Sequence, residues 1–240
     1  MTNNRIAELL RPPLKLLGKF FLCVTTAIVA QAQTLTTLHS FDLTDGDQPY
    51  AGLVQATNGN FYGTTYGGGA NNYGTVFSLS VGLGAFVRTQ STSGKEGAKI
   101  GILGQGFSTS SVVEFGGVEA TTIVRSGTTF ITATLPAGAL TGAVTVTTGT
   151  TKLTSSQIFK VLPTITSFTP ASGSVGTSVT IKGTGLQQTT KVKIDGKSAT
   201  FTVDSDTEVQ ADVPTDAVTG KIVVTTKGGS ATSATSFTVD

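Results

Sequence analysis

The sequence predicts an all-β protein built mainly of two tandem sandwiches, and two observations lead there. The first is period-2 alternation, which sends successive strand side chains to opposite faces. Between Pro163 and Asp240, Val179 and Ile181 alternate with Thr180 and Lys182, and Val192 and Ile194 with Lys193 and Asp195. Val209, Ala211 and Val213 alternate with Gln210 and Asp212, and Ile222, Val224, Phe237 and Val239 complete the apolar set. Each segment has one apolar face, as a half-buried antiparallel strand should. Turn residues fall between them: Gly173, Gly176, Gly183, Gly185, Asp195-Gly196, Pro214 with Asp216, and Gly228-Gly229. About seven short strands at this spacing predict a β-sandwich.

The second observation is an internal repeat. Moved upstream by 79 positions, Gly173, Gly176, Val179, Ile181, Gly183 and Gly185 fall on Gly94, Gly97, Ile100, Ile102, Gly104 and Gly106. Val192, Ile194 and Gly196 fall on Val113, Phe115 and Gly117. After a one-residue insertion, Val209, Val213, Pro214 and Gly220 fall on Ile131, Leu135, Pro136 and Gly142, and Phe237 and Val239 on Phe159 and Val161. Core positions and turn glycines match together, so residues 85–162 and 163–240 read as two copies of one domain.

The words Pro-x-Ile-x-Ser-Phe-x-Pro (Pro163 to Pro170), Ser-Gly-x-x-Gly and Val-x-Ile-x-Gly-x-Gly-Leu resemble the IPT/TIG family of immunoglobulin-like domains. Thr207 to Pro214 and Gly220 to Thr226 extend the resemblance over nearly all of the second copy. It implies an early-set immunoglobulin-like sandwich with no catalytic residues of its own. Such domains occur in extracellular and surface proteins, carbohydrate-active enzymes and some transcription factors. The first copy departs at its start, where Phe86-Val87-Arg88-Thr89-Gln90-Ser91 replaces the opening motif.

Residues 33–80 read as a different, blade-like β module. Leu38–Phe41, Leu53–Ala56, Phe61–Thr64 and Gly74–Leu79 are its expected strands. Asn58-Gly59 between the second and third suits a type I′ hairpin turn. Leu-His-Ser-Phe, Asn-Gly-Asn-Phe-Tyr-Gly-Thr-Thr and Gly-Thr-Val-Phe resemble the GloVer repeat of bacterial secreted proteins, which implies several copies where this chain has one. A lone blade leaves faces and edges exposed. It either docks on the first sandwich, pairs with another chain, or is a remnant. Ser80 to Phe86 is the junction, with Gly82 and Gly84 and no charge, a hinge or the first strand of the next domain.

Residues 1–32 have the layout of a secretory signal peptide. Arg5, Arg11, Lys15 and Lys19 precede the apolar run Phe20 to Val29 and the small-residue site Ala30-Gln31-Ala32. The run is shorter than the ~18–20 residues of a membrane span, so membrane contact is expected only before cleavage. The chain has 16 basic and 14 acidic residues; the lead holds four of the former and Glu8, leaving 12 against 13. The mature part is therefore near neutral, with no phosphate-binding stripe and no nucleic-acid partner expected. Cys23, the only cysteine, also lies in the lead, which leaves no disulfide and no thiol chemistry. Phe21 and Leu22 just before it do not suit lipidation.

Chemistry-bearing residues are few. His39 is the only histidine, which leaves little for a Ser-His-Asp triad or a zinc site. Gly67-Gly68-Gly69 lacks the Lys-Ser/Thr ending of a phosphate loop, and the glycines of Gly101 to Gly106 recur in the second copy as turns. No cofactor and no catalytic activity are expected. Asp42, Asp45 and Asp47 surround Gly46 as oxygen ligands of calcium do, yet Asp-Gly is equally an ordinary turn. All four tyrosines, Tyr50, Tyr62, Tyr66 and Tyr73, fall in the 33–80 module. They are the candidate ligand face, because tyrosine joins an apolar ring to a polar tip; the alternative is that they pack the blade or an interface.

The expected protein is a secreted or cell-surface binding or adhesion module with the sandwiches as stalk or spacer. A carbohydrate-binding accessory of a polysaccharide-degrading system and a truncated repeat protein are the alternatives. Its partner would be an extracellular polysaccharide or a surface protein.

Overall fold

The computed structural model describes residues 36–240. The lead at 1–32, with Cys23 and the expected cleavage site, lies outside the described residues. The chain divides into a leading unit ending at Ser40 and a body, Phe41–Asp240.

The body begins with a small antiparallel sheet, β1 (Val54–Gln55), β2 (Phe61–Thr64) and β3 (Val76–Leu79), in that order. Leu38–Phe41 is not a fourth strand. The Phe41 ring packs edge-on against Phe77 at 4.9 Å, and the Asp42 carboxylate takes the N–H groups of Thr44 and Asp45. The chain thus turns directly after one anchored ring, and the short alternation around it is too brief to distinguish such an anchor from a strand.

The β1–β2 hairpin also differs from expectation. Val54 pairs with Tyr62 and Gln55 with Phe61, but only Gly59 in the turn has positive φ, at 91°. A type I′ turn needs two such residues. Gly59 N–H instead bonds Ala56 O, and the Asn58 side chain takes the Asn60 N–H. Glycine is needed at 59 twice over, since a Cβ there would lie 2.1 Å from the Leu83 carbonyl. The junction therefore folds back over this turn, where Phe86 N–H bonds Thr57 O. The Thr57 hydroxyl donates to Gly104 O and accepts from the Gln105 amide, which docks the small sheet on the first sandwich.

That sandwich contains β4 (Arg88–Thr89), β5 (Ser93–Gly94), β6 (Lys99–Leu103), β7 (Val112–Phe115), β8 (Val118–Glu119), β9 (Ile123–Ser126), β10 (Phe130–Thr134), β11 (Gly142–Thr148) and β12 (Thr151–Val161). One sheet has the order β4-β6-β10-β9 and the other β5-β12-β11-β7-β8. The second sandwich contains β13 (Thr164–Thr169), β14 (Ser172–Gly173), β15 (Ser178–Thr184), β16 (Thr189–Ile194), β17 (Lys197–Ala199), β18 (Phe201–Val203), β19 (Glu208–Asp212), β20 (Gly220–Thr226) and β21 (Ser230–Val239). Its sheets, β13-β15-β19-β18 and β14-β21-β20-β16-β17, repeat the first order strand for strand. The shortened motif at the start of the first copy appears as a two-residue β4 against a six-residue β13.

Each sandwich has its own core. Val179, Ile181, Val192, Ile194, Val209, Ala211, Val213, Ile222, Val224 and Phe237 are all buried, as the alternation predicts, while Val239 is only partly buried. The first core is built on Ile100, Ile102, Val113, Phe115, Ile131, Val144 and Phe159, with Phe107 standing where the second has Leu186.

Both copies share a bulge on the last strand. In the first, the buried Ser155 hydroxyl accepts from Val144 N–H at 2.9 Å and donates to Gln157 O at 2.7 Å. In the second, Ser233 does the same with Ile222 N–H and Thr235 O. The hydroxyl satisfies backbone groups that the register shift frees.

The sandwiches meet end to end. Only Leu162 and Pro163 separate β12 from β13. The Gln188 side-chain carbonyl accepts Thr141 N–H at 2.8 Å, and the Thr141 hydroxyl accepts Val161 N–H at 2.9 Å. Asp206 Oδ2 takes Gly138 N–H from the first sandwich and Gly185 N–H from the second. Buried Gly228 lies so close that a Cβ would come within 1.8 Å of the Val161 carbonyl oxygen.

On the solvent side of the first sandwich, Glu114 accepts from the Thr145 hydroxyl at 2.7 Å and from Lys152 at 3.1 Å. The Thr145 bond first, then the Lys152 bond and charge, hold its carboxyl below the usual value of 4.5. A carboxylate with a lowered folded pKa stabilises the fold while ionised. That contribution is complete above the unfolded value and is lost as pH falls through the lower folded one. The Tm difference between wild type and Glu114→Gln is therefore expected at pH 7 and should shrink as pH falls below the usual value of 4.5. A difference that is constant from pH 7 to 3 would contradict it. The ion pair itself is partly exposed and adds little.

Candidate binding surface

The tyrosines do not pack the small sheet. Tyr50, Tyr66 and Tyr73 are 79%, 77% and 91% exposed, and Tyr62 is 37% exposed. Tyr62 sits on β2, whose alternation turns Tyr62 and Thr64 outward while Gly63 is buried against Phe77 and Leu53. Its hydroxyl accepts from the Asn58 amide at 3.0 Å. Tyr50 and Tyr66 come together, with ring centroids 6.4 Å apart and planes inclined by 51°. Tyr62 and Tyr73 pair with no other ring among the described residues.

The loop that carries them is ordered by its backbone. Tyr66 N–H bonds the carbonyls of Asp47 and Gln48, and Asp47 exchanges bonds with Gly67 in an isolated bridge. The buried Thr65 hydroxyl receives Thr75 N–H at 2.8 Å and donates to Gly67 O. Tyr50 is steadied by its own hydroxyl, which donates to Gln48 Oε1 at 3.2 Å. Loop residues rather than strand periodicity thus present the ring pair, on a frame that fixes the backbone beneath it.

The acidic turn is occupied by its own chain. Asp42 Oδ1 takes Thr44 N–H at 3.0 Å and the Thr44 hydroxyl at 2.6 Å, while Asp45 Oδ1 takes Asp42 N–H. The Thr44 bonds hold the Asp42 carboxyl below its usual value. Asp47 lies apart, in the bridge to Gly67. Among the described residues, no group of three or more His, Cys, Asp or Glu side chains is placed to hold a metal ion. His39 lies on chain without secondary structure.

The elements define an all-β protein of tandem immunoglobulin-like sandwiches. Residues 163–239 match the family described as IPT/TIG domain, so the second sandwich is a domain of that kind. No curated protein matches the chain. Among solved structures it is similar to the surface glycan-binding protein PbSGBP-B from Prevotella bryantii, with 16% identity over 66% of this chain and 40% of that one and a TM-score of 0.43. It is also similar to SGBP-B from a complex xyloglucan utilization locus in Bacteroides uniformis, at 21% identity, 63% and 48% coverage and TM-score 0.32. A third is the Bacteroides ovatus mixed-linkage glucan utilization locus SGBP-B in complex with a mixed-linkage heptasaccharide, at 17% identity, 78% and 54% coverage and TM-score 0.29. The chain spans less than two thirds of each of these proteins.

Proposed function

We propose that this chain is a non-catalytic extracellular module that binds a polysaccharide through the small N-terminal sheet, with the two sandwiches as its spacer. The exposed Tyr50–Tyr66 pair carries this reading. Two large rings left in water on an ordered loop are an unfinished interface, since each has an apolar face that is stabilised by cover and a hydroxyl that can still hydrogen-bond. The C–H face of a sugar ring supplies that cover, and its hydroxyls meet the polar tips. The signal-like lead fits export.

The test is depletion of the purified protein by insoluble cellulose, xylan and mannan and by envelope preparations. At least one polysaccharide should retain the wild type, and Tyr50→Ala with Tyr66→Ala should weaken retention about tenfold per ring. Equal retention of the double variant would remove the tyrosines from the site. Binding to envelope alone, lost on proteolysis of the envelope, would replace the polysaccharide by a protein ligand.

A further inference from the structure

A second site lies away from the tyrosines. A groove of about 390 Å³ runs between the small sheet and the first sandwich. Its walls are Leu53, Val54 and Gln55 on one side, Phe86 to Thr89 on another, and the bulge Ser155 to Gln157 on the third. Its size suits a small ligand.

The polar groups there are unevenly used. The Ser155 hydroxyl is consumed by the bulge, and Val87 and Thr89 are buried beneath. Gln55, Arg88, Ser156 and Gln157 are exposed and come from three separate segments. None makes a side-chain hydrogen bond or ion pair with the other described residues. Arg88 is the only charged residue in the lining. The groove is thus cationic, with a guanidinium fork, two amides and a hydroxyl above apolar walls.

The second sandwich supplies an internal comparison. Its equivalent groove, lined by Ile165 to Phe168, Ala171 and Ser233 to Thr235, measures about 220 Å³. Ser233 makes the same bonds as Ser155, so the backbone device is unchanged. At the positions of Arg88, Ser156 and Gln157 stand Ser167, Ala234 and Thr235. The bulge therefore does not require the long polar side chains of the first copy, and no separate sheet walls the second groove.

We propose that the groove at Arg88 binds an acidic saccharide, a sugar unit bearing a carboxylate, with Arg88 gripping the carboxylate and Gln55 and Gln157 the hydroxyls. A planar guanidinium matches a carboxylate with two parallel bonds, and amides serve hydroxyls as both donor and acceptor. An extended peptide is the poorer fit, because β1 offers an edge of only two residues for pairing.

Titration of the full chain with trigalacturonate, triglucuronate and neutral cellotriose, followed by calorimetry and backbone NMR, tests this. At least one acidic trisaccharide should bind, with shifts at Gln55, Arg88 and Gln157, and cellotriose should not compete. Arg88→Gln should weaken binding ~10-fold or more and remove its salt dependence, with Arg88→Lys in between. Tm of both variants should match wild type, since the Arg88 side chain supports nothing. Tyr50→Ala with Tyr66→Ala should leave this binding intact, which separates it from the tyrosine site. No binding of either acidic sugar, equal binding by Arg88→Gln, or loss on the tyrosine change would overturn the proposal.

Discussion

Phe115→Ala is expected to unfold the first sandwich near body temperature while the second stays folded. Phe115 is fully buried on β7, and its ring meets that of Phe159, from β12, at 5.3 Å and 61°. Truncating such a ring costs about 3–5 kcal/mol, from lost burial plus the cavity left behind. A domain of about 80 residues has only ~4–12 kcal/mol in total. No disulfide within residues 36–240 limits the damage, because the only cysteine is Cys23. Calorimetry should resolve two transitions in the variant, and limited proteolysis should cut 85–162 before 163–240. A single transition moved by less than about 2 °C would show that the pocket collapses around the loss. The second core carries Ile194 at the equivalent position, and there the Phe237 ring meets Phe168 instead, at 6.3 Å.

Gly228→Val is expected to free the sandwiches from one another. Gly228 does not have positive φ, so the backbone accepts a side chain and the objection is steric alone. A Cβ would sit 1.8 Å from the Val161 carbonyl oxygen and 2.7 Å from the Thr141 hydroxyl. Those two residues belong to the other sandwich and hold the Gln188 clamp in place. Overpacking of this kind costs about 1–3 kcal/mol, and here the cheapest relief is to part the domains. Relaxation of backbone amides should report one tumbling time for both sandwiches in wild type and two in the variant. Unchanged tumbling would mean that the Asp206 and Gln188 bonds hold the junction unaided.

The second sandwich was legible because burial there follows period 2 and turns carry glycine, so local pattern and tertiary position agree. The repeat extended that legibility to the first copy. The junction was not legible. Gln188, Asp206 and Gly228 have the composition of solvent loops, and their partners Thr141, Gly138 and Val161 lie tens of residues away in sequence. Leu38–Phe41 shows the reverse failure, an alternation that anchors one ring and forms no strand. The tyrosines were found by composition, but no periodicity tells exposed from packed in a loop. The Arg88 groove left one trace, the departure of Phe86 to Ser91 from the motif that opens the second copy.

The short strands β5 and β14 have a mechanical consequence. Each lies near the start of its sandwich and runs parallel to the strand that ends it, Ser93 beside Lys160 and Ser172 beside Thr238. Tension along the chain pulls such a pair past one another, so the bonds from Lys160 and Leu162 to Thr92 and Gly94 are loaded together instead of peeling in turn. The same holds for Thr238 and Asp240 on Ala171 and Gly173. Two such patches in series are expected to make the pair of sandwiches resist extension along the chain.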